Sequence, residues 1–149
     1  MDRLAAILSE HRIVGLDTPI FIYHFERHPL YFPRAHCILE EIAQGRLDAV
    51  TSVVTLMEIT VQPLSLGRPD IADEYEILLL NFPHLSVQGI TVAIARRAAD
   101  LRARHRLKPA DALQVATCLD AGATLFVTND RDLRTLSDVS VLYLQDFSA

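Results

Sequence analysis

The sequence contains no apolar run near the roughly 20 residues that a membrane-spanning helix requires, only two cysteines and a single lysine, Lys108. The first absence excludes a helical membrane protein. The second excludes a disulfide framework or a cysteine-based zinc cluster, because Cys37 and Cys118 are too few and too far apart. Both read as small buried hydrophobes in a reducing compartment. The opening "MDRLAAILSEHR" carries an acid at once, with no long apolar core and no small-residue cleavage site. No signal peptide and a cytoplasmic location are therefore expected. There is also no repeat, low-complexity tract or linker. The 149 residues suffice for one domain, 1–149, with a core needing neither disulfides nor structural metal.

What is present is an ordinary globular mixture, half hydrophobic and 22% charged. A net charge of -5 argues against a broadly basic nucleic-acid surface. The charge is nevertheless uneven. "RRAADLRARHRLK", residues 96–108, sets Arg96, Arg97, Arg102, Arg104, Arg106 and Lys108 against one acid, Asp100. Such a strip can hold a phosphate backbone even on an acidic protein, with Arg97, Arg104, Arg106 and Lys108 as candidate contacts. The alternative is a solvated helix face with Arg96, Asp100 and Arg104 at i, i+4 spacing.

Short β-branched runs alternate with longer helical patterns, which predicts strand–helix units around a largely parallel sheet. Strands are expected at 12–16, 47–52, 84–87, 124–128 and 140–144. Helices are expected at 2–10, 19–26, 34–44, 53–61, 70–81, 91–105, 109–121 and 131–137, with "QPLSLGRPD", residues 62–70, as a helix–helix connection. In such sheets ligands sit beyond the carboxyl ends of the strands, so acids just after strands carry the chemical interest.

Asp17 follows the first strand directly, and Thr18 is expected to cap the next helix ahead of Pro19. A capping Thr18 leaves Asp17 without that duty, although charge near a helix N-terminus is itself mildly favourable. Glu58 lies in "SVVTLMEITV"; at 100° per residue it falls about 40° from Val54 on one side and about 60° from Val61 on the other. A carboxylate on so apolar a face needs a cation or a hydrogen-bond donor, and no Lys or Arg lies within one turn. Asp111 is the third residue of a helix opened by Pro109, where its bland role is dipole compensation. Asp130 and Asp132 stand in "LFVTNDRDL", where either one caps the following helix in the plain reading. A doubly wound fold brings these acids together. Carboxylates so placed repel one another unless a cation intervenes, and oxygen-only ligation without His or Cys suits Mg²⁺ or Mn²⁺. Such an ion activates water for attack on a phosphodiester.

Taken in order, "LDTPIFIY", "TSVVTLMEI", "KPADALQVATCL" and "VTNDRDL" resemble the PIN domain, specifically the VapC-like toxin ribonucleases of toxin–antitoxin pairs, from about Ile13 to Leu144. The resemblance implies a three-layer α/β/α sandwich with a central parallel sheet of about five strands. By position it assigns Asp17, Glu58, Asp111 and Asp130 to an acidic quartet binding Mg²⁺ or Mn²⁺. Asp132 looks like a supporting acid, and Ser52, Thr18 and Thr128 match polar positions that orient ligands or water. The implied activity is cleavage of single-stranded RNA by metal-activated water, with a cognate antitoxin as partner and a homodimer as the assembly. Pro19 and Leu133 depart from the family pattern, at positions where many members carry Asn or Ser and Phe.

Two other readings are open. A PIN-like module that binds RNA or a partner without cleaving keeps the fold and not the chemistry. A phosphotransfer domain also places an Asp after its first strand, but Pro19 stands where a phosphatase needs a second Asp, and no late lysine follows a strand as a receiver requires. Phe21, Tyr23, Phe25, Tyr31 and Phe32 crowd one short stretch, either as core or as an interface groove.

Overall fold

The computed structural model describes residues 2–147. Its core is a five-stranded, wholly parallel sheet in the order β3-β2-β1-β4-β5, built from β1 (Ile13–Leu16), β2 (Asp48–Ser52), β3 (Leu85–Gln88), β4 (Leu125–Thr128) and β5 (Ser140–Tyr143). The chain winds from β1 outward to β3 and then restarts at β4 on the other side of β1. The strand order therefore reverses between β1 and β4, the place where open α/β sheets form a crevice.

Among the described residues seven α-helices flank the sheet: α1 (Asp2–Leu8), α2 (Thr18–Phe25), α3 (Phe32–Ala43), α4 (Val53–Ser65), α5 (Pro69–Leu80), α6 (Val92–His105) and α7 (Pro109–Asp120). The period-2 alternation of each strand divides its side chains between two cores. Val14, Leu16, Ala49, Leu125 and Val127 pack with α1 to α5, whereas Val50 and Phe126 pack with α6 and α7. That is the expected three-layer α/β/α sandwich, and it explains why the central strands read as unbroken apolar runs.

Gly15 is the contact point between β1 and α7. A Cβ there would stand 2.5 Å from Cys118 Sγ, 2.7 Å from Cys118 Cβ and 3.0 Å from Phe126 Cδ1. Gly15→Ala is expected to destabilise the protein by about 1–3 kcal/mol through overpacking. Adding Cys118→Ala should restore part of that loss in a urea titration. Independent, additive effects of the two changes would contradict the contact.

Three local expectations are corrected. The helix expected at 131–137 is only a 3-10 turn, Arg131–Leu133, closed by i→i+3 bonds such as Arg134 N to Arg131 O. Thr135, Ser137 and Asp138 are poor helix formers, and Asp138 is drawn instead to Arg104. The connection expected at 62–70 is shorter, because α4 runs on to Ser65 with Pro63 inside its last turn and ends before Gly67 at φ 71°. The helix expected at 2–10 stops at Leu8. Of the aromatic cluster, Phe21 is fully buried while Tyr23, Phe25, Tyr31 and Phe32 are half-buried.

Candidate active site

The carboxyl ends of β1 and β4 are locked side by side, since Asp17 N donates to Val127 O at 2.9 Å. Asp17, 5% exposed, is itself the cap of α2, its Oδ1 accepting from Thr18 N at 2.9 Å. The expectation that Thr18 caps this helix is thus overturned. Pro19 follows at once and holds the chain helical, which makes Thr18 a helical residue and frees its hydroxyl to donate to Glu58 Oε1 at 2.6 Å. This is the donor that Glu58 requires. Glu58 is half-buried, because Val61 on its flank faces outward.

Thr128 joins β1 to the loop after β4. Its hydroxyl donates to Asp17 Oδ2 at 2.7 Å and accepts from Asp130 N at 3.0 Å. Asp130 Oδ1 in turn accepts from Asp132 N at 2.9 Å, so Asp130 does cap the short turn. Asp111 enters from the first turn of α7. Asp17, Glu58, Asp111 and Asp130 line one cleft with Thr18, Pro19, Ile22 and Val61. Ser52 is buried and does not line it, and Asp132 is exposed with Lys108 Nζ at 4.0 Å. The basic strip is mostly elsewhere. Arg104 is held by Asp100 and Asp138, and neither it, Arg97 nor Arg106 lines the cleft. A larger cleft beside β5 contains one acid, Asp138, already paired with Arg104, so the chemistry singles out the smaller one.

Gln114 is a residue that the sequence reading did not assign to the site. It is 1% exposed, and its Nε2 donates to Thr18 Oγ1 at 3.0 Å and to Thr55 Oγ1 at 2.7 Å. Its Oε1 accepts from Ser52 Oγ at 2.5 Å. The protons then follow one direction: Thr18 donates to Glu58, Thr55 to Thr51, and Thr51 to Leu16 O. The amide therefore ties α7 to α4 and α2 and sets three acids in register. A polar amide amid the apolar "DALQVATCL" is the signal that could have revealed it. Gln114→Leu is expected to cost about 1–3 kcal/mol by stranding buried hydroxyls, read as a lower urea midpoint. An unchanged midpoint would show that the network rearranges freely.

The electrostatics of the cleft are strained. Burial pushes the Asp17 carboxyl up to about 6, and the charges of Glu58 and Asp130 add to the rise, against the bonds from Thr128 and Thr18 N. Asp111 is likewise held well above the usual carboxylate range by burial, then by Asp17 and Asp130, with a hydrogen bond shared with Asp130. Among the described residues no basic side chain forms an ion pair with any of the four. Oxygen-only donors, two of them buried carboxyls raised above the usual range with no ion-paired cation beside them, suit a hard divalent ion. No three His, Cys, Asp or Glu among the described residues are already grouped as a finished coordination set. Glu58 is turned toward Thr18, and Asp111 toward Asp130.

The model of the PIN domain matches residues 14–139. The chain belongs to the PIN domain family. Solved structures share this PIN fold at low identity. The VapBC2 complex of Rickettsia felis, bound to a DNA fragment from its promoter, is 17% identical with a TM-score of 0.70, covering 88% of this chain and 98% of that one. A toxin–antitoxin complex from Klebsiella pneumoniae is 21% identical with a TM-score of 0.66, over 89% and 97%. FitAcB from Neisseria gonorrhoeae is 19% identical with a TM-score of 0.68, over 91% and 99%. No curated protein matches the sequence. Among the described residues of this PIN domain no helix is long and apolar enough to cross a membrane.

Proposed function

We propose that the chain is a Mg²⁺- or Mn²⁺-dependent endoribonuclease for single-stranded RNA, working as one domain and as the toxin of a toxin–antitoxin pair. The observation that carries this reading is the cleft at the ends of β1 and β4, where four carboxylates meet and none is ion-paired among the described residues. Asp17, Glu58, Asp111 and Asp130 would hold the metal. A bound divalent ion supplies an activated water and neutralises charge on the phosphoryl group under attack. Thr128 orients Asp17, Thr18 orients Glu58, and Asp132 with Lys108 marks the rim where the RNA backbone passes.

The partner reading has its own support. Val53, Met57, Val61 and Leu64 form an exposed stripe along one face of α4, and Val61 also lines the cleft. An apolar stripe running into an acidic cleft suits an antitoxin segment laid across the site or a second copy of the chain. The neighbouring structures are toxin–antitoxin assemblies.

The test is purified protein on unstructured RNA with Mg²⁺ or Mn²⁺, and with EDTA. Cleavage is expected only with the metal. Activity that survives both EDTA and Asp17→Asn would sink the proposal. The competing reading is a module that binds RNA without cutting it. Calorimetry showing RNA binding but no heat with Mn²⁺ would select that reading instead.

A further inference from the structure

Arg34 is a buried guanidinium outside the site described above. It stands in the first turn of α3, 7% exposed, and its Nε is buried without a hydrogen-bond partner. Among the described residues no acid pairs with it. Tyr31 lies against its face, 5.0 Å from the guanidinium carbon to the ring centroid. A ring face attracts the charge but accepts none of the in-plane N–H groups. Those donors form a planar fork whose natural partner is a carboxylate or a phosphate.

The surroundings distinguish between these. Tyr31 stacks on Tyr23 with centroids 4.9 Å apart. Tyr23 Oη accepts from Asn129 Nδ2 at 3.2 Å, and the next residue, Asp130, lines the cleft together with Ile22. A chain of contacts therefore links the acids, through Asn129 and two aromatic rings, to an unpaired cation. Single-stranded nucleic acid is held by this combination of stacking faces and backbone cations. The cleft repels phosphates, so the strand needs cations beside it. Lys108 provides one at the start of α7, whereas Arg34 sits on α3, in the helix layer on the opposite face of the sheet.

We propose that Arg34, with the Tyr31–Tyr23 stack, is a phosphate-gripping site for the RNA strand as it leaves the cleft. This rests on the ribonuclease reading and gives the strand a direction across the site, from Lys108 to Arg34.

The experiment follows the anisotropy of a labelled, unstructured oligoribonucleotide with the full chain in EDTA, over a series of salt concentrations. Each phosphate contact adds about 0.7 to the slope of log affinity against log salt on a single strand. Arg34→Met is expected to lower that slope by about 0.7, while Arg34→Lys keeps the slope and binds several-fold more weakly because it lacks the fork. Tyr31→Leu should weaken binding with the slope unchanged. An Arg34→Met protein that melts cooperatively yet keeps the wild-type slope overturns the proposal. Should that variant fail to fold, wild-type RNA affinity in Tyr31→Leu overturns it instead. Arg34-dependent binding of inorganic phosphate, with an RNA slope indifferent to Arg34, would assign a free-anion site and also reject it. Wild-type protein that cleaves RNA while its binding ignores Arg34 defeats this inference alone. Wild-type protein that neither binds nor cleaves defeats the ribonuclease reading as well.

Discussion

Asp17→Asn is expected to stabilise the metal-free protein above pH 6 while removing metal-dependent RNA cleavage. In the folded chain the Asp17 carboxyl is raised from 3.8 to about 6, chiefly by burial. Below pH 4 both folded and unfolded forms are protonated and there is no penalty. Between about pH 4 and 6 the unfolded chain releases its proton while the folded chain retains it, so stability falls as pH rises. Above pH 6 the full penalty remains, on the order of 3 kcal/mol. Asparagine has no charge to desolvate and keeps an acceptor for Thr18 N. Some of the gain is lost through the altered bond to Thr128, leaving about 1–2 kcal/mol by the same linkage. Urea titrations in EDTA at pH 5 and pH 7 read this directly. A variant less stable than wild type at pH 7 would show that Asp17 is structurally required as an anion. For cleavage, residues that merely orient a metal ligand cost 10–100-fold when removed, so loss of a proposed ligand should cost at least about 100-fold.

The second large effect is proton release on metal binding. If the raised carboxyls of Asp17 and Asp111 hold protons in the metal-free cleft, a divalent ion must displace them. Apparent Mn²⁺ affinity should then fall by about tenfold per pH unit below 6 for each proton displaced. Calorimetry at neutral pH in two buffers of different ionisation enthalpy is expected to give buffer-dependent heats, with the dependence growing as the pH is lowered toward 5. Affinity that is flat between pH 5 and 7, with buffer-independent heats, would mean that the carboxylates are already ionised and that the strain is relieved some other way.

The fate of the aromatic segment shows how one short stretch divides among roles. Phe21 is core, Phe25 stacks on Tyr75 at 5.3 Å, and Tyr23 reaches the loop that carries Asp130. Helical periodicity reports only which way a side chain points. It does not report whether the surface it meets is a core, a loop or solvent.

Much of the architecture was legible in the sequence because it rests on local chemistry. β-branched runs such as "TLFVT" form strands, alternation with helical patterns forces parallel pairing, and Pro19 and Pro109 mark helix starts. That Asp17 and Asp130 follow strands, and that Asp111 heads a helix, was legible for the same reason. Their meeting in one cleft follows from the strand order, which reverses between β1 and β4. What the tertiary structure alone decided concerns partners distant in sequence. Gln114 bonds Thr18 across 96 positions and Thr128 bonds Asp17 across 111. Asp17 took the capping role, and the Thr18 hydroxyl was left to reach Glu58, 40 positions away. Arg34 became a buried cation because α3 packs it inward against Tyr31. The sequence by itself determines which groups can ionise, cap or pack; burial and the direction of each hydrogen bond, which set their protonation and their task, exist only once the layers close.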